Sequence, residues 1–388
     1  MKKKMLFLVI LFSALMVGII SVSTSVISYE NFPSQPEKKI LADESVDWTI
    51  GVYGDSQKTP SIHENIVNRI LDEPNLTAII HTGDLTDVGA DPSYWEDFNR
   101  IYENVTVPLF PTIGNHEKYT DDTHSEFDLS YTYWFEYANP PSNKSYYSHD
   151  TNGIHFIHLD IEYGWDNTND VWNIPEDQEQ FLFDDLNATE KTDFVVLIFH
   201  RPAFGHYRYD PTISVRNYLL PLVQQYDVDF TLSGHDHGFY VTERFGCYWY
   251  ITGPAGDPIY RKYSKMPTLL ENDTDVEDYT YFRIQGINNT VRIQTVLYND
   301  TIAHTLVLDE NGEFISEWSI YHGDLPYRYT EMITKPVTII TTTGTTTTTT
   351  AVTTTTITTK KSPGFLISIS FFGLLMIVTI KMKYRRKR

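Results

Sequence analysis

A chain of 388 residues, 41% hydrophobic and 14% aromatic, can bury a large core, which excludes a wholly disordered or collagen-like protein. All 51 acidic residues lie in 30–336 against 19 Lys and Arg, a net charge of −32 there. Such a field repels nucleic acid and anionic membranes, and a single cysteine, Cys247, excludes an internal disulfide framework.

Lys2, Lys3 and Lys4 precede an apolar run over 5–20 and the small-residue stretch SVSTS at 21–25. That layout predicts a signal peptide or N-terminal anchor over 1–29, followed by a folded ectodomain over 46–330. Within it, 48–53 (WTIGVY) reads as a strand and 63–71 as a helix with Ile66, Ile70 and Leu71 at helical spacing. A buried strand follows at 76–81 (LTAIIH). Then comes a helix over 94–102 with Trp95, Phe98 and Tyr102 on one face, and a strand over 108–113. The order βαβαβ predicts parallel strands.

Further on, strands at 154–161 and 194–199 flank a helix over 177–186, and a helix over 215–225 precedes the strand FTLS at 230–233. From 239 to 308 the β-rich runs FYVTERF, CYWYITG, YTYFRIQGI, TVRIQTVLY and HTLVL predict antiparallel strands completing a second sheet. The expected class is α/β, two sheets with helices outside. The stretch 331–363 is expected to be a Thr-rich stalk resembling an O-glycosylated spacer, since threonine cannot bury enough apolar surface to fold. Residues 364–380 are expected to form a transmembrane helix, although 16 apolar residues at about 1.5 Å each reach about 24 Å of the roughly 30 Å hydrocarbon core. The tail 381–388, with six basic residues, is expected in the cytoplasm. Sequons at Asn75, Asn104, Asn143, Asn187, Asn272, Asn288 and Asn299 add to the expectation of a glycoprotein at the cell membrane with its large domain outside.

Polar clusters end successive strands: GDSQ at 54–57, GDLTD at 83–87, GNHE at 114–117, HRP at 200–202 and GHDH at 234–237. In open α/β sheets this edge binds ligands. Glycine before the polar residue in four of the five lets the chain turn sharply and bring side chains close to an ion.

These five blocks, in this order, resemble the calcineurin-like metallophosphoesterase superfamily, whose pattern is Asp-x-His, Gly-Asp, Gly-Asn-His-Asp/Glu, His and Gly-His-x-His. The resemblance implies the four-layer α/β/β/α fold and metal-dependent hydrolysis of phosphate mono- or diesters. It makes Asp84 a carboxylate bridging two divalent ions (Mn, Fe or Zn), with Asp55 and His237 on the first and Asn115, His200 and His235 on the second. A hydroxide held between the ions would attack phosphorus, with Asp84 as a catalytic residue through the bridge it makes. His116 is the implied general acid, with Glu117 or Asp84 to orient it. Gln57 stands where the family usually has histidine and is a candidate ligand favouring Mn²⁺ or Mg²⁺. GNHE followed by HRPAFGH also resembles the purple acid phosphatase branch, but Asp87 occupies the position of that branch's iron-bound tyrosine.

Other polar residues have simpler readings. His81 is expected to pack or to support a ligand, and His155, His158 and Asp160 alternate along an apolar strand as structural residues. Arg201 suits a phosphate but equally a salt bridge, and His206, close after HRP, is a candidate for substrate contact, with a role away from the site as the leading reading. The aromatic runs at 131–137 and 207–209 read first as core packing. The expected partners are a phosphate-ester substrate and, through the C-terminal helix, a membrane; no nucleic acid is expected. The competing reading is a catalytically silent surface receptor that kept the fold, against which His116 argues, since a binding module needs no leaving-group acid.

Overall fold

The computed structural model describes residues 45–118, 127–166, 169, 171–189, 194–205, 213–259, 274–310, 312–320 and 323–325, with short strands at 342–343, 346–347, 367–372 and 375–380. The expected N-terminal signal or anchor, most of the stalk, the basic tail, His206 and the aromatic run 207–209 lie outside the described residues.

The first half builds as its hydrophobic pattern predicts. Strand β1 (Trp48–Tyr53), helix α1 (Pro60–Leu71), β2 (Leu76–His81), α2 (Pro92–Tyr102) and β3 (Leu109–Pro111) follow in turn, and β1, β2 and β3 pair in parallel. Pro92 starts α2 and Asp91 caps it, accepting the Ser93 N–H at 2.9 Å. α1 packs closely on β1 because residue 51 is glycine: a Cβ there would lie 2.3 Å from the Ile70 side chain.

Helix α3 (Phe127–Tyr133) continues as a π turn over Trp134–Ala138. The chain then forms β4 (Tyr147–Thr151), β5 (Ile154–Leu159), the small hairpin β6 (Trp165–Asp166) and β7 (Val171–Trp172), and α4 (Glu176–Ala188). Next come β8 (Phe194–Phe199), α5 (Ile213–Tyr226), β9 (Phe230–Ser233), β10 (Phe239–Arg244), β11 (Cys247–Thr252) and β12 (Thr274–Val276). The chain ends its main fold with β13 (Thr280–Ile287), β14 (Thr290–Leu297), β15 (Ile302–Asp309), β16 (Phe314–Ser319) and β17 (Gly323–Leu325). The β13–β14 turn is Asn288–Asn289, both left-handed at φ 47° and 60°, the twist a two-residue hairpin requires.

Two mixed sheets result, in the orders β17-β16-β15-β14-β13-β1-β2-β3 and β12-β10-β11-β9-β8-β5-β4. The later antiparallel strands therefore do not all complete a second sheet, as expected from sequence. β10 and β12 extend the second sheet, whereas β13 to β17 return to the first, where Thr49 of β1 faces Gln285 of β13. Alternation along a strand sets which residues face a core, not which sheet receives the strand.

β8 is buried on both faces. Phe194, Val196 and Ile198 face the other sheet with Ile50, Val52, Phe282 and Ile284, while Val195, Leu197 and Phe199 meet Leu182 and Leu186 of α4 and Val215 and Leu219 of α5. Ile79 of β2 meets Ile66, Val67 and Ile70 of α1 on the opposite outside face. Helix, sheet, sheet, helix is thus the observed layering, each large apolar side chain contributing about 1.5–3 kcal/mol by burial. In the run 131–137 Trp134 is fully buried, Tyr131, Tyr133, Phe135 and Tyr137 are half-buried against its cluster, and Trp95 stacks on Tyr137.

Within 364–380, the segments Ile367–Phe372 and Leu375–Ile380 pair as an antiparallel hairpin in place of the expected helix. Isoleucine, valine and phenylalanine fit a strand, and only a bilayer obliges such a run to satisfy every backbone group within one helix. Among the described residues no helix is long and apolar enough to cross a membrane.

His155 is structural: Nδ1 lies 2.7 Å from Asp150 and Nε2 3.0 Å from Asp185. Its hydrogen bond with Asp185, against burial, pushes its pKa from 6.5 up to about 9. A raised pKa stabilises the fold fully below 6.5, and that stabilisation fades as pH rises through about 9. Urea unfolding of His155→Asn should therefore show a stability loss of about 1–2 kcal/mol at neutral pH that disappears by about pH 10.

Candidate metal centre

Every strand-end block predicted from sequence reaches the same edge of the sandwich. Asp55 and Gln57 follow β1, Asp84 follows β2, Asn115 follows β3, His200 follows β8, and His235 and His237 follow β9. Two groups of ligand atoms, each within 4.8 Å, form there: Asp84, His200 and His235, and Asp55, Asp84 and His237. Asp84 belongs to both.

The backbone is bent to achieve this. Asp55 (φ 50°), Asp84 (φ 57°), His235 (φ 71°) and His237 (φ 42°) all occupy the left-handed region, which costs about 1–3 kcal/mol per residue and concentrates at functional sites. Glu117 pins the Asp84 turn. Its carboxylate accepts the N–H groups of Asp84 (2.9 Å), Leu85 (2.6 Å), Thr86 (3.1 Å) and Gly114 (2.7 Å). Burial first, then the Asp84 charge, pushes Glu117 up to about 7, opposed by those N–H bonds. Glu117→Ala would strand the four donors, and a loss of at least about 2 kcal/mol is expected in urea unfolding.

Hydrogen bonds to backbone settle the tautomers of two histidines, because a carbonyl only accepts. His200 Nδ1 donates to Thr82 O at 3.0 Å and His237 Nδ1 to Pro258 O at 3.0 Å, leaving each Nε2 directed into the site. His200 Nε2 lies 3.2 Å from Asp84 Oδ2 and 3.2 Å from Asn115 Oδ1. His237 Nε2 lies 3.4 Å from Asp55 Oδ1. The Asp55 carboxylate also accepts the His235 N–H at 3.0 Å. Against burial, Asp84 pushes His200 up to about 9, while His200 and His116 hold the buried Asp84 well below the usual carboxylate range. The site draws positive charge to itself.

Gln57 Oε1 is buried and has no hydrogen-bond partner, while its Nε2 lies 2.6 Å from Asp257 Oδ2 and 3.3 Å from Asp84 Oδ2. A buried amide oxygen with no partner, on a side chain whose amide lies against two carboxylates, fits a divalent cation, which satisfies it without a proton.

His116 sits at the rim. Its N–H donates to Asp84 Oδ1 at 2.9 Å and its Nε2 lies 3.9 Å from Asp84 Oδ2. The residue that orients its ring is neither Glu117, as the motif suggested, nor Asp84 alone. His116 Nδ1 donates to the Asp87 carbonyl at 2.8 Å and lies 3.2 Å from the Asp87 carboxylate. Although burial opposes the imidazolium, Asp84 and Asp87 push His116 up to about 9. Asp87, which sequence reading noted only for not being tyrosine, therefore has a partner of its own.

His81 supports the centre without joining it, its ring bonded to Ser56 Oγ at 3.0 Å and to the Gly83 N–H at 3.1 Å. Arg201 is salt-bridged to Glu162, stacked on Trp165 at 4.4 Å, with Nη1 3.4 Å from His235 Nε2. His158 is buried on Thr112, and Asp160 accepts the Tyr131 hydroxyl at 2.7 Å, both away from the ligand groups. Sequence reading missed Asp257, which sits buried against Gln57 and His237. Its GPAGDP loop carries the same glycine-then-aspartate signal after a strand as the recognised blocks.

Two sheets between outer helices, with Asp, Asn, Gln and His ringed at their carboxyl edge, form an α/β sandwich of the metallophosphoesterase type whose edge offers ligands for divalent metal. Residues 49–239, just under half of the chain, match the calcineurin-like phosphoesterase family. Purple acid phosphatase 23 of Arabidopsis thaliana is 28% identical over 195 residues, covering 47% of this chain and 40% of that protein. Purple acid phosphatase 15 of the same plant is 28% identical over 175 residues, covering 43% of this chain and 31% of that protein. The chain thus spans less than half the length of these relatives, and two others from the plant are named "Probable inactive purple acid phosphatase". Among solved structures, purple acid phosphatase PPD1 of yellow lupin superposes with TM-score 0.54 at 16% identity, covering 69% of this chain and 54% of that one. GAP50, named the anchor in the inner membrane complex of Plasmodium, gives 0.52 at 17% identity, covering 68% and 89%. Both show a shared fold.

Proposed function

We propose that this protein hydrolyses phosphate mono- or diesters outside the cell with two divalent ions, tethered to the membrane by its C-terminal apolar segment. The observation that carries the reading is Asp84, one buried carboxylate common to both ligand groups. Asp55, Gln57 and His237 would hold one ion, Asn115, His200 and His235 the other, with Asp84 between them. Bound there, the ions supply Lewis-acid charge for the phosphoryl oxygens and an activated water as nucleophile. The chain's own part is to fix the geometry and move a proton. Thr82 and Pro258 carbonyls hold the two imidazoles, Glu117 holds the Asp84 turn, and Asp87 holds His116 with Nε2 toward the centre. His116 Nε2–H is the proton donor to the leaving oxygen.

The purified full chain, assayed on aryl phosphate mono- and diesters with added Mn²⁺, Zn²⁺ or Fe²⁺, should turn over at least one of them. No turnover with any metal overturns the enzymatic reading and supports the silent receptor, for which the relatives named as inactive are the specific argument. The tether is tested separately: the chain should stay with membranes in alkaline carbonate, and a chain ending at residue 336 should not.

A further inference from the structure

We infer that Asp257 is a further protein ligand of the ion held by Asp55 and His237, an inference that rests on the two-ion reading of this centre. The strongest ground is a symmetry between the two halves. In one, an imidazole tied to a backbone carbonyl through Nδ1 points Nε2 at a carboxylate oxygen, Asp84 Oδ2, and at one further oxygen, Asn115 Oδ1, both at 3.2 Å. In the other, His237, tied to Pro258 O, points Nε2 at Asp55 Oδ1 (3.4 Å) and at Asp257 Oδ2 (3.2 Å). Asp257 occupies in the first half the place Asn115 occupies in the second. When Nε2 carries no proton, electron pairs that converge in this way repel unless a metal cation lies among them.

Burial strengthens the case. Asp257 is fully buried, its Oδ1 faces the Lys58 ammonium at 3.2 Å, and its Oδ2 lies 2.6 Å from the amide nitrogen of Gln57, whose own Oε1 has no hydrogen-bond partner. The loop is built to deliver it: the Asp257 N–H donates to Asp55 O at 3.0 Å, and the Ala255 N–H reaches Gly54 O at 3.0 Å. Residue 256 must be glycine for this approach, since a Cβ there would lie 2.2 Å from the Ser56 carbonyl oxygen. One short loop thus supplies both the carbonyl that fixes His237 and the carboxylate that faces it.

The chemistry follows from the donor set. Asp55, Asp84, Asp257 and the Gln57 amide make this half rich in hard oxygen, with one imidazole, which suits Mn²⁺ or Mg²⁺ better than Zn²⁺. The oxygen that glutamine brings less effectively than histidine brings nitrogen is made up by a third carboxylate. Lys58, 3.2 Å from Asp257 and 3.5 Å from Asp87, balances the added charge from outside.

The test is calorimetric titration of Mn²⁺ into the metal-stripped full chain. Wild type should bind two ions, and Asp257→Asn, which keeps an oxygen to accept from Gln57, should weaken one of them by more than the about 100-fold that losing a ligand's supporting partner costs and leave the other unchanged. Lys58→Met removes the ion pair but keeps the carboxylate, and should bind two ions at least as tightly as wild type. The inference is overturned if Asp257→Asn binds two ions with affinities within about 100-fold of wild type, or if Lys58→Met loses the same ion to the same extent, which would make the ion pair structural. Should Asp257→Asn not fold, Asp257→Ser is read in the same way. Wild type binding fewer than two ions overturns the two-ion reading and this inference together, whereas two ions without phosphoesterase turnover overturns only the enzymatic reading.

Discussion

Asp84→Asn is expected to lower kcat on an aryl phosphate by at least about 10³-fold, roughly 4 kcal/mol of transition-state stabilisation. Asp84 is the residue common to both ligand groups, so its loss uncouples the two halves of the centre instead of weakening one. Asparagine is the informative substitution for three reasons. It is isosteric, its oxygen still accepts the His116 N–H, and it tolerates the left-handed φ of 57° at this position better than alanine does. The circular dichroism spectrum and metal-free Tm should therefore stay close to wild type. Turnover within tenfold of wild type would remove Asp84 from the reaction.

The second large effect is on stability. Removing divalent ions with a chelator should lower Tm by the order of 10 °C. An ion present at a thousand times its Kd adds about 4.1 kcal/mol, and each kcal/mol moves Tm by about 2–4 °C in a domain of 150–250 residues. The cause lies in the clustering of Asp55, Asp84 and Asp257, all buried at one edge of the sheets, where like charges repel unless cations neutralise them. Differential scanning calorimetry with chelator, then with Mn²⁺ restored, measures the effect. An unchanged Tm would mean that the fold holds no ion.

Much of the centre was legible because its signals are local. Each block is a buried strand, a sharp turn and a polar residue, and the chain order of GDSQ, GDLTD, GNHE, HRP and GHDH is visible without knowing how strands pair. What escaped depends on distant contacts. Asp257 lies 200 positions from the Gln57 it touches, and Asp87 acquires meaning only when the GNHE turn brings His116 Nδ1 onto its carbonyl. Glu117 read as a partner of the acid because it is adjacent in sequence, but the structure spends its carboxylate on four backbone N–H groups.

The sequence by itself determined the α/β class and the five strand-end blocks, because period-2 burial and glycine turns are properties of short segments; the seven ligand candidates Asp55, Gln57, Asp84, Asn115, His200, His235 and His237 came from the resemblance those blocks carry. Only the tertiary structure decided that β13 to β17 return to the first sheet, which nitrogen of His200 and His237 faces inward, and that Asp257 lies against Gln57 and His237. Strand partners, tautomers and carboxylate neighbours are all fixed by groups remote in the chain, and the burial energy that brings those groups together belongs to the whole sandwich rather than to any one segment.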